Sequence, residues 1–241
     1  MHNPQSYQFF MPKETWIGLG AIDRLGESLK NKGITKCLLV TDEFMADSEA
    51  GIRTKKVLDD AEIEVSIYKG VEPDPTIGQV EKGAIEFMAH NCDALVSLGG
   101  GSPHDCAKAI KYSLINGGII NDNIVLAAVN TTAGTGSEVT KFAVITNEAD
   151  KKKIPLANEM LIPDIAVDDS SMMLQMPKGL TAATGMDALT HAIEAYVAKD
   201  RNYITNSASL KAVQLIDEFL TRAYQNGNDV EARDGMVYAQ Y

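Results

Sequence analysis

Three glycines and a serine stand between an apolar segment and a helical pattern. Residues 99–102 read Gly-Gly-Gly-Ser, directly after the apolar run at 94–98 and before Pro103. Glycines let a backbone turn tightly and approach an anion, and free N–H groups at a helix N-terminus bind phosphate. The run differs from G-x-G-x-x-G and lacks the lysine of a P-loop. Its position predicts a phosphate-binding turn; a tight turn without a ligand is the alternative.

A second loop of small and hydroxyl side chains also follows an apolar run. Residues 131–138 read Thr-Thr-Ala-Gly-Thr-Gly-Ser-Glu. Open α/β sheets bind ligands at the carboxyl ends of their strands, so this loop is a second candidate for ligand contact. A structural loop that caps a helix is the alternative. The two loops support one another if their strands belong to one sheet.

Two charged positions could contact a nucleotide. Asp42 directly follows the apolar run at 36–41. There a carboxylate can hold the two ribose hydroxyls of NAD and repel the extra phosphate of NADP, although a helix cap or a solvated residue is the alternative. The basic run at 151–153 suits a solvated hairpin at its first two residues. Lys153 precedes an apolar stretch and could reach a ribose or a phosphate.

Asp187 and His191 lie four residues apart within a helical pattern. This spacing places both side chains on one face of a helix. One carboxylate and one imidazole form half of a mixed site suited to Fe²⁺, Zn²⁺ or a similar divalent ion. A surface contact between the two side chains, without metal, is the alternative. The other histidines, His2, His90 and His104, are scattered and do not indicate a second half.

These candidates need elements to position them, and the hydrophobic pattern predicts such elements. Strands are predicted at residues 36–41, 64–68, 94–98, 124–129, 142–146 and 165–167. Helices are predicted at residues 51–61, 76–90, 103–116, 184–198, 206–224 and 229–241. Strands that alternate with helices indicate a parallel sheet covered on both faces. We therefore predict an α/β domain at residues 1–178, followed by an all-helical part at 179–241 that ends within a helical pattern.

Composition limits the possible partners and location. The 241 residues include 22 Lys and Arg against 33 Asp and Glu, a net charge of -11, which disfavours nucleic acids and anionic membranes as partners. No apolar stretch approaches the ~18 residues of a membrane span. The N-terminus does not resemble a signal peptide. Three cysteines, Cys37, Cys92 and Cys106, suit buried, reduced thiols in a cytoplasmic protein.

Several segments, in this order, resemble the iron-containing (group III) alcohol dehydrogenases, which include NAD-linked propanediol, methanol, ethanol and lactaldehyde-reducing enzymes. The matching segments are residues 17–21, 39–42, 73–76, 99–105, 130–138 and 180–196. The last three are too long to match by chance. The resemblance implies a Rossmann-like parallel-sheet N-terminal domain and an all-helical C-terminal domain, with the active site in the cleft between them. A homo-oligomer is also expected.

The resemblance also implies roles for individual residues. Asp42 resembles the acid that binds the adenosine ribose, and Asp187 and His191 resemble the first two of four metal ligands. The resemblance also implies three further groups of cofactor contacts. Gly100, Gly101 and Ser102 resemble the pyrophosphate turn, and Thr131, Thr132 and Thr135 resemble a second cofactor loop. Asp74 and Lys153 resemble further contacts on the cofactor side.

The implied reaction is hydride transfer between NAD(H) and a short-chain alcohol or aldehyde at a divalent metal, with Fe²⁺ expected first and Zn²⁺ or another ion as alternatives. The metal would lower the pKa of the alcohol, and the protein would hold the substrate carbon against the nicotinamide. No side chain is an evident general base. The sequence does not identify the substrate.

The sequence departs from the family in two respects. The family's two further histidine ligands come from sequence beyond the position of Tyr241, and the segment between Gly118 and Asn130 is shorter than the family pattern. A non-catalytic NAD-binding remnant is therefore one alternative function. A relative of glycerol dehydrogenase or dehydroquinate synthase is another, although residues 184–196 favour the alcohol dehydrogenase branch.

Overall fold

The structure, a computed structural model, describes residues 6–120 and 123–241; His2 lies outside these ranges. Six parallel strands form the main sheet in the order β1-β8-β5-β4-β2-β3, and β6 and β7 form a separate antiparallel hairpin. The strands are β1 (Glu14–Ile17), β2 (Lys36–Val40), β3 (Glu64–Tyr68), β4 (Ala94–Gly99), β5 (Val125–Asn130), β6 (Phe142–Asn147), β7 (Lys152–Ala157) and β8 (Ile165–Asp168).

Helices alternate with the strands as far as β8, as predicted, and the chain then continues as helices alone. Thr76 forms a capping box at the start of the fourth helix, as its position after a proline predicts. The helices are α1 (Leu25–Lys30), α2 (Glu43–Ala46), α3 (Glu49–Asp60), α4 (Ile77–Ala89), α5 (Gly101–Asn116), α6 (Lys178–Val197), α7 (Tyr203–Gln225) and α8 (Val230–Gln240). The fold is thus α/β with a helical C-terminal part, as predicted.

The structure adds β7 and the short helices α1 and α2, which the hydrophobic pattern does not predict, and it differs from the prediction in β6, β1 and α6. The predicted strand at 142–146 exists as β6, but it pairs with β7 outside the parallel sheet. Strand β1 was not predicted, because only four half-buried residues of it contact the sheet edge. Helix α6 begins six residues before the predicted start, because the Gly179–Thr184 stretch lacks the apolar spacing of the rest.

Two hydrophobic clusters cover the two faces of the sheet. Alternate residues of β2 point to opposite faces, as in any strand: Cys37 and Leu39 join the cluster with α1 and α3, whereas Leu38 and Val40 join the cluster with α4 and α5. A third cluster connects α6, α7 and α8 to Ala133 of the 131–138 loop. Within the described residues, no helix is long and apolar enough to cross a membrane.

Strand register brings the ends of three strands to the same level. Gly99 of β4 is paired with Asn130 of β5, and Asn130 is paired with Asp168 of β8. Strand β3 lies on one side of β2 and β4 lies on the other, so the direction in which strands are added to the sheet reverses between β2 and β4. Open α/β sheets bind ligands at such a switch point.

Candidate functional site

The turn between β4 and α5 places three glycines, whose backbone carries no side chain, at the carboxyl edge of the sheet. Gly99 has a φ of +140°, which L side chains rarely adopt. A Cβ on Gly100 would lie 2.8 Å from Thr132 Oγ1, and one on Gly101 would lie 3.0 Å from Thr135 Cγ2. The glycines therefore let the next loop pack directly on the turn. The first N–H groups of α5 have no carbonyl partner within the helix, so they can bind an anion.

The 131–138 loop is held from behind by two side chains of α5. Lys108 is fully buried, and its Nζ donates to the Ser137 carbonyl oxygen at 2.5 Å and to the Phe142 carbonyl oxygen at 2.8 Å. Asp105 accepts from the Ser137 hydroxyl at 2.7 Å. Burial lowers the pKa of Lys108 to about 8, against the opposing charge of Asp105. The loop is thus fixed by a fully buried ammonium group and by a partly buried carboxylate.

A cleft of about 700 Å³ opens at this edge of the sheet, between the two loops and the start of α6. A volume of this size suits a small-molecule ligand. Its lining is apolar around Phe44, Val71 and Leu180, with hydroxyl groups near the glycine turn. Seven of the residues predicted to contact the cofactor line it: Asp42, Gly100, Gly101, Ser102, Thr131, Thr132 and Thr135.

Asp42 caps a helix and also lines the cleft. Its Oδ1 accepts from the Met45 backbone N–H at 2.7 Å and caps α2. The same residue lines the cleft at the end of β2, beside the switch point. A carboxylate has acceptor capacity beyond one hydrogen bond, so capping leaves oxygen lone pairs for a ligand hydroxyl.

Asp74 and Lys153 lie outside the lining of the cleft and pair with each other. The Lys153 Nζ donates to Asp74 Oδ1 at 2.7 Å, and both side chains are more than half exposed. Lys153 belongs to the β6–β7 hairpin, while Asp74 follows Pro73, which does line the cleft. The structure therefore places this pair near one end of the cleft, where the two opposite charges form an ion pair.

Asp187 and His191 share one face of α6, as their spacing predicts. His191 Nε2 lies 3.8 Å from Asp187 Oδ1, and the two side chains are 51% and 44% exposed. Thr184, which lines the cleft, lies three residues before Asp187 on the same helix. The donor types fit a divalent ion, but the described residues contain no group of three or more His, Cys, Asp or Glu that could hold one. Asp187 and His191 thus place one carboxylate and one imidazole side by side on α6.

Two buried carboxyl groups and an amide contact one another at the end of the 131–138 loop, and the sequence pattern predicts no role for any of them. Glu138 and Asp168 are fully buried, and Gln240 of α8 contacts both. Asp168 directly follows a predicted strand, as Asp42 does, so an acid at that position is a usable signal. The contact with Gln240 was not visible, because it joins residues more than 70 positions apart.

His104 in the first turn of α5 serves the core. It is 1% exposed, and its Nδ1 lies 2.7 Å from Ser97 Oγ. Burial lowers its pKa to about 3, with the charge of Lys108 acting in the same direction. The imidazole is therefore neutral at physiological pH and adds no positive charge to the glycine turn.

Comparisons with known proteins agree with this arrangement. The iron-containing alcohol dehydrogenase family matches residues 12–170, and the C-terminal part of the same family matches residues 181–241. The chain is 46% identical to the NAD-dependent methanol dehydrogenase of Bacillus methanolicus, over 97% of this chain and 64% of that protein. It is 40% identical to the 1,3-propanediol dehydrogenase of Klebsiella pneumoniae, over 97% and 63%.

A solved structure has the same fold. The alcohol dehydrogenase from Oenococcus oeni superimposes with a TM-score of 0.93 at 38% identity, over 98% of this chain and 64% of that one. The chain thus spans less than two thirds of the length of these relatives. Both family segments nevertheless match in the expected order, and together they include the glycine turn, the 131–138 loop and α6. The chain belongs to the iron-containing alcohol dehydrogenase family.

Proposed function

We propose that this chain forms the cofactor cleft and part of the metal site of an alcohol dehydrogenase. The reaction is hydride transfer between NAD(H) and a short-chain alcohol or aldehyde at a divalent ion. One observation carries the proposal: seven nucleotide-type contacts converge in one cleft at the N-terminus of α5. The names of the relatives, which include an NAD-dependent methanol dehydrogenase, support the same reaction.

The proposed cofactor lies with its pyrophosphate on the glycine turn. Gly100, Gly101 and Ser102 offer backbone N–H groups and the positive end of a 16-residue helix. Asp42 accepts from the adenosine ribose hydroxyls, and its charge disfavours the additional phosphate of NADP. Thr131, Thr132 and Thr135 contribute hydroxyl groups from the facing loop.

Asp74 and Lys153 are proposed as contacts at the edge of the same site. Their mutual ion pair is exposed, and exposed pairs contribute little to stability. A phosphate or ribose could therefore replace Asp74 as the partner of Lys153 at small cost. Because neither residue lines the cleft, we expect their effect on cofactor affinity to be smaller than that of Ser102.

Asp187 and His191 are proposed as two ligands of the divalent ion, with Fe²⁺ first and Zn²⁺ next. A bound ion would supply Lewis acidity toward the alcohol oxygen. Asp187 offers an anionic oxygen and His191 a neutral imidazole nitrogen, and their half-exposed side chains can turn toward a shared ion. The apolar start of α6 at Leu180 would exclude water from the reacting carbon.

A second candidate is an NAD-binding protein without catalysis. The observation that favours it is the absence, among residues 6–120 and 123–241, of a cluster of three metal-type donors. Such a protein would bind NAD in the cleft but would not catalyse hydride transfer. A glycerol dehydrogenase or dehydroquinate-synthase-like activity is less favoured, because the relatives described above carry the names of methanol, propanediol and alcohol dehydrogenases.

Cofactor binding and turnover separate these candidates. The 241-residue chain would be titrated with NADH by calorimetry, and then assayed for NADH formation from NAD with methanol, ethanol or 1,3-propanediol, with Fe²⁺, Zn²⁺ or chelator. Binding with metal-dependent turnover supports the dehydrogenase. Binding without turnover under any condition supports the second candidate. No binding of NADH would reject both.

We also propose a cytoplasmic, homo-oligomeric protein. Three buried cysteines without disulfides suit a reducing compartment. Exposed apolar side chains on α6 and α7, including Ile193 and Ile204, offer surface for self-association. Sedimentation velocity at several concentrations tests the oligomer, and cell fractionation tests the location.

A further inference from the structure

The side chain of Gln240 contacts two acids, Glu138 at the end of the 131–138 loop and Asp168. Glu138 lies in the short 3-10 turn that ends this loop, Asp168 ends β8 and Gln240 ends α8. Both carboxyl groups are fully buried. The Gln240 Nε2 donates to Glu138 Oε1 at 2.9 Å and to Asp168 Oδ1 at 3.3 Å. One amide group therefore bridges two acids from different parts of the fold.

The orientation of the Gln240 amide follows from its third contact. The backbone N–H of Gly134 donates to Gln240 Oε1 at 2.7 Å. A backbone N–H can only donate, so the amide oxygen must face Gly134 and the amide NH₂ must face the carboxyl groups. Gln240 thus ties the middle of the loop to the acid pair. The same loop carries Thr132 and Thr135 into the cleft.

The hydrogen bonds around the two acids do not balance two full charges. Asp168 Oδ1 also accepts from Asn130 Nδ2 at 2.9 Å. The other oxygens, Glu138 Oε2 and Asp168 Oδ2, are buried without a hydrogen-bond partner. An ionised carboxylate in such a place has a large desolvation cost, whereas a protonated carboxyl group loses its charge and gains a donor.

Charged and titratable neighbours do not supply the missing compensation. Lys108 of α5 faces the pair, but all its hydrogen bonds go to Ser137, Thr140 and Phe142. Asp105 of the same helix faces Lys108 and offsets its charge. Tyr241, after α8, faces the acid pair: burial and the charges of Asp168 and Glu138 raise the pKa of its hydroxyl group, which pairs with Thr15 Oγ1 at 3.1 Å. No arginine bonds to either acid within the described residues.

We propose that Glu138 and Asp168 together hold one proton at neutral pH, and that Gln240 couples this pair to the position of the cleft loop. The proposal deepens the proposed function, on which its cofactor readout rests. When the proton leaves, two charges share a dry site. The pair must then separate or admit water, which weakens the Gln240 bridge and frees Gly134. Gln240 is a positioning residue that acts through the loop.

The titration behaviour agrees with this geometry. Burial raises the pKa of Glu138 well above its usual range, and the charge of Asp168 adds to the effect while Lys108 opposes it. Burial also raises the pKa of Asp168, against the hydrogen bond from Asn130. Raised native pKa values mean that stability and loop order are greatest at low pH and are lost as pH rises through the native pKa of the pair.

The first experiment measures the NADH dissociation constant between about pH 6.5 and pH 9 for three proteins. In the unmodified protein we expect affinity to fall by about tenfold across this interval, which is the total change expected if NADH binding raises the pKa of the pair by one unit. Glu138→Gln keeps the shape and removes one acid, so the fall should shrink to less than about twofold. The control Glu81→Gln changes an exposed carboxylate on α4 and should follow the unmodified protein. An unchanged slope in Glu138→Gln would overturn the coupling.

A second measurement does not depend on the cofactor. Protein with ¹³C-labelled Asp and Glu carboxyl groups should show a signal that titrates above the usual carboxyl range and is absent from Glu138→Gln. If NADH fails to bind but this signal is present, the proposed function fails and the proton pair stands. If NADH binds and no signal depends on Glu138, or if Glu138→Gln does not fold and no carboxyl group titrates high in the unmodified protein, the proton pair is rejected.

Gln240 itself is tested by Gln240→Met, which keeps length and removes both donor and acceptor. We expect NADH affinity at neutral pH to fall by about fivefold, as for the loss of a typical hydrogen bond. The protection of the Gly134 amide against hydrogen exchange should fall as well. Unchanged Gly134 protection would show that Gln240 does not position the loop.

Discussion

Helices α5 and α6 both begin at the cleft, but the rest of the molecule holds them very differently. Nine of the 16 residues of α5 are buried, including Lys108 and Lys111. Only four of the 20 residues of α6 are buried: Thr181, Gly185, Ala188 and Ala192. The N-terminus of α5 is therefore fixed by the sheet and by the loop that packs on it, whereas α6 has one narrow contact face.

This difference separates the two chemical tasks of the proposed site. The turn at Gly100 can bind an anion without rearrangement, because its geometry follows from buried packing. Asp187 and His191 are about half exposed on α6, and Met186 and Ile193 elsewhere on the same helix are each 52% exposed. Their geometry is set by local helix spacing alone. We therefore expect substitutions on α5 to change stability and cofactor affinity far more than substitutions at the metal-ligand pair.

The largest effect is expected from Lys108→Met. The substitution leaves the carbonyl oxygens of Ser137 and Phe142 without their buried donor and Asp105 without a compensating charge. Removing one partner from a buried charged network costs about 3 kcal/mol in the free energy of unfolding. Urea denaturation measures it, with the exposed Lys211→Met on α7 as the control. A change no larger than that of the control would show that Lys108 does not hold the loop.

Ser102→Asp should separate helix stability from anion binding. A carboxylate in the first turn of α5 is favourable for the helix dipole, so the thermal midpoint should stay or rise. The same charge would face the proposed pyrophosphate and weaken NADH binding by about 2 kcal/mol, or roughly thirtyfold. Calorimetric titration measures the affinity, and Ser102→Asn is the neutral control. Equal NADH affinity in the Asp and Asn variants would place the pyrophosphate elsewhere.

Asp42→Asn should relax the choice between the two nicotinamide cofactors. Asparagine also caps helices well, so α2 should keep its hydrogen bond from Met45 and its stability. Without the negative charge, the ratio of NADH to NADPH affinity should fall about tenfold, equivalent to about 1.4 kcal/mol. The exposed Asp47→Asn serves as the control, since Asp47 ends the same helix outside the cleft. An unchanged ratio would leave Asp42 with its capping role alone.

The same contrast explains how much the sequence could predict. The turn at 99–102 and the capping of α4 at Thr76 depend on neighbouring residues, so local patterns were sufficient. The pairing of β6 with β7 could not be read from its apolar run, because such a run does not identify the strand with which it pairs. The bridge from Gln240 to Glu138 joins residues 102 positions apart, and only the folded chain brings them together. Local sequence thus predicts the binding turn, while buried support for it requires the tertiary structure.

The smallest effect on stability is expected at Asp187 and His191, the proposed metal ligands. Asp187→Ala and His191→Ala each remove one member of an exposed pair whose atoms lie 3.8 Å apart, so unfolding free energy should stay within about 0.5 kcal/mol of the unmodified protein. Binding of Zn²⁺, followed by calorimetry, should weaken in both variants, because each loses one donor. Glu194→Ala removes an exposed carboxylate from the same helix and should change neither quantity. If Glu194→Ala weakens Zn²⁺ binding as much as Asp187→Ala does, the ion binds to the acidic surface in general, and the spacing of Asp187 and His191 carries no metal site.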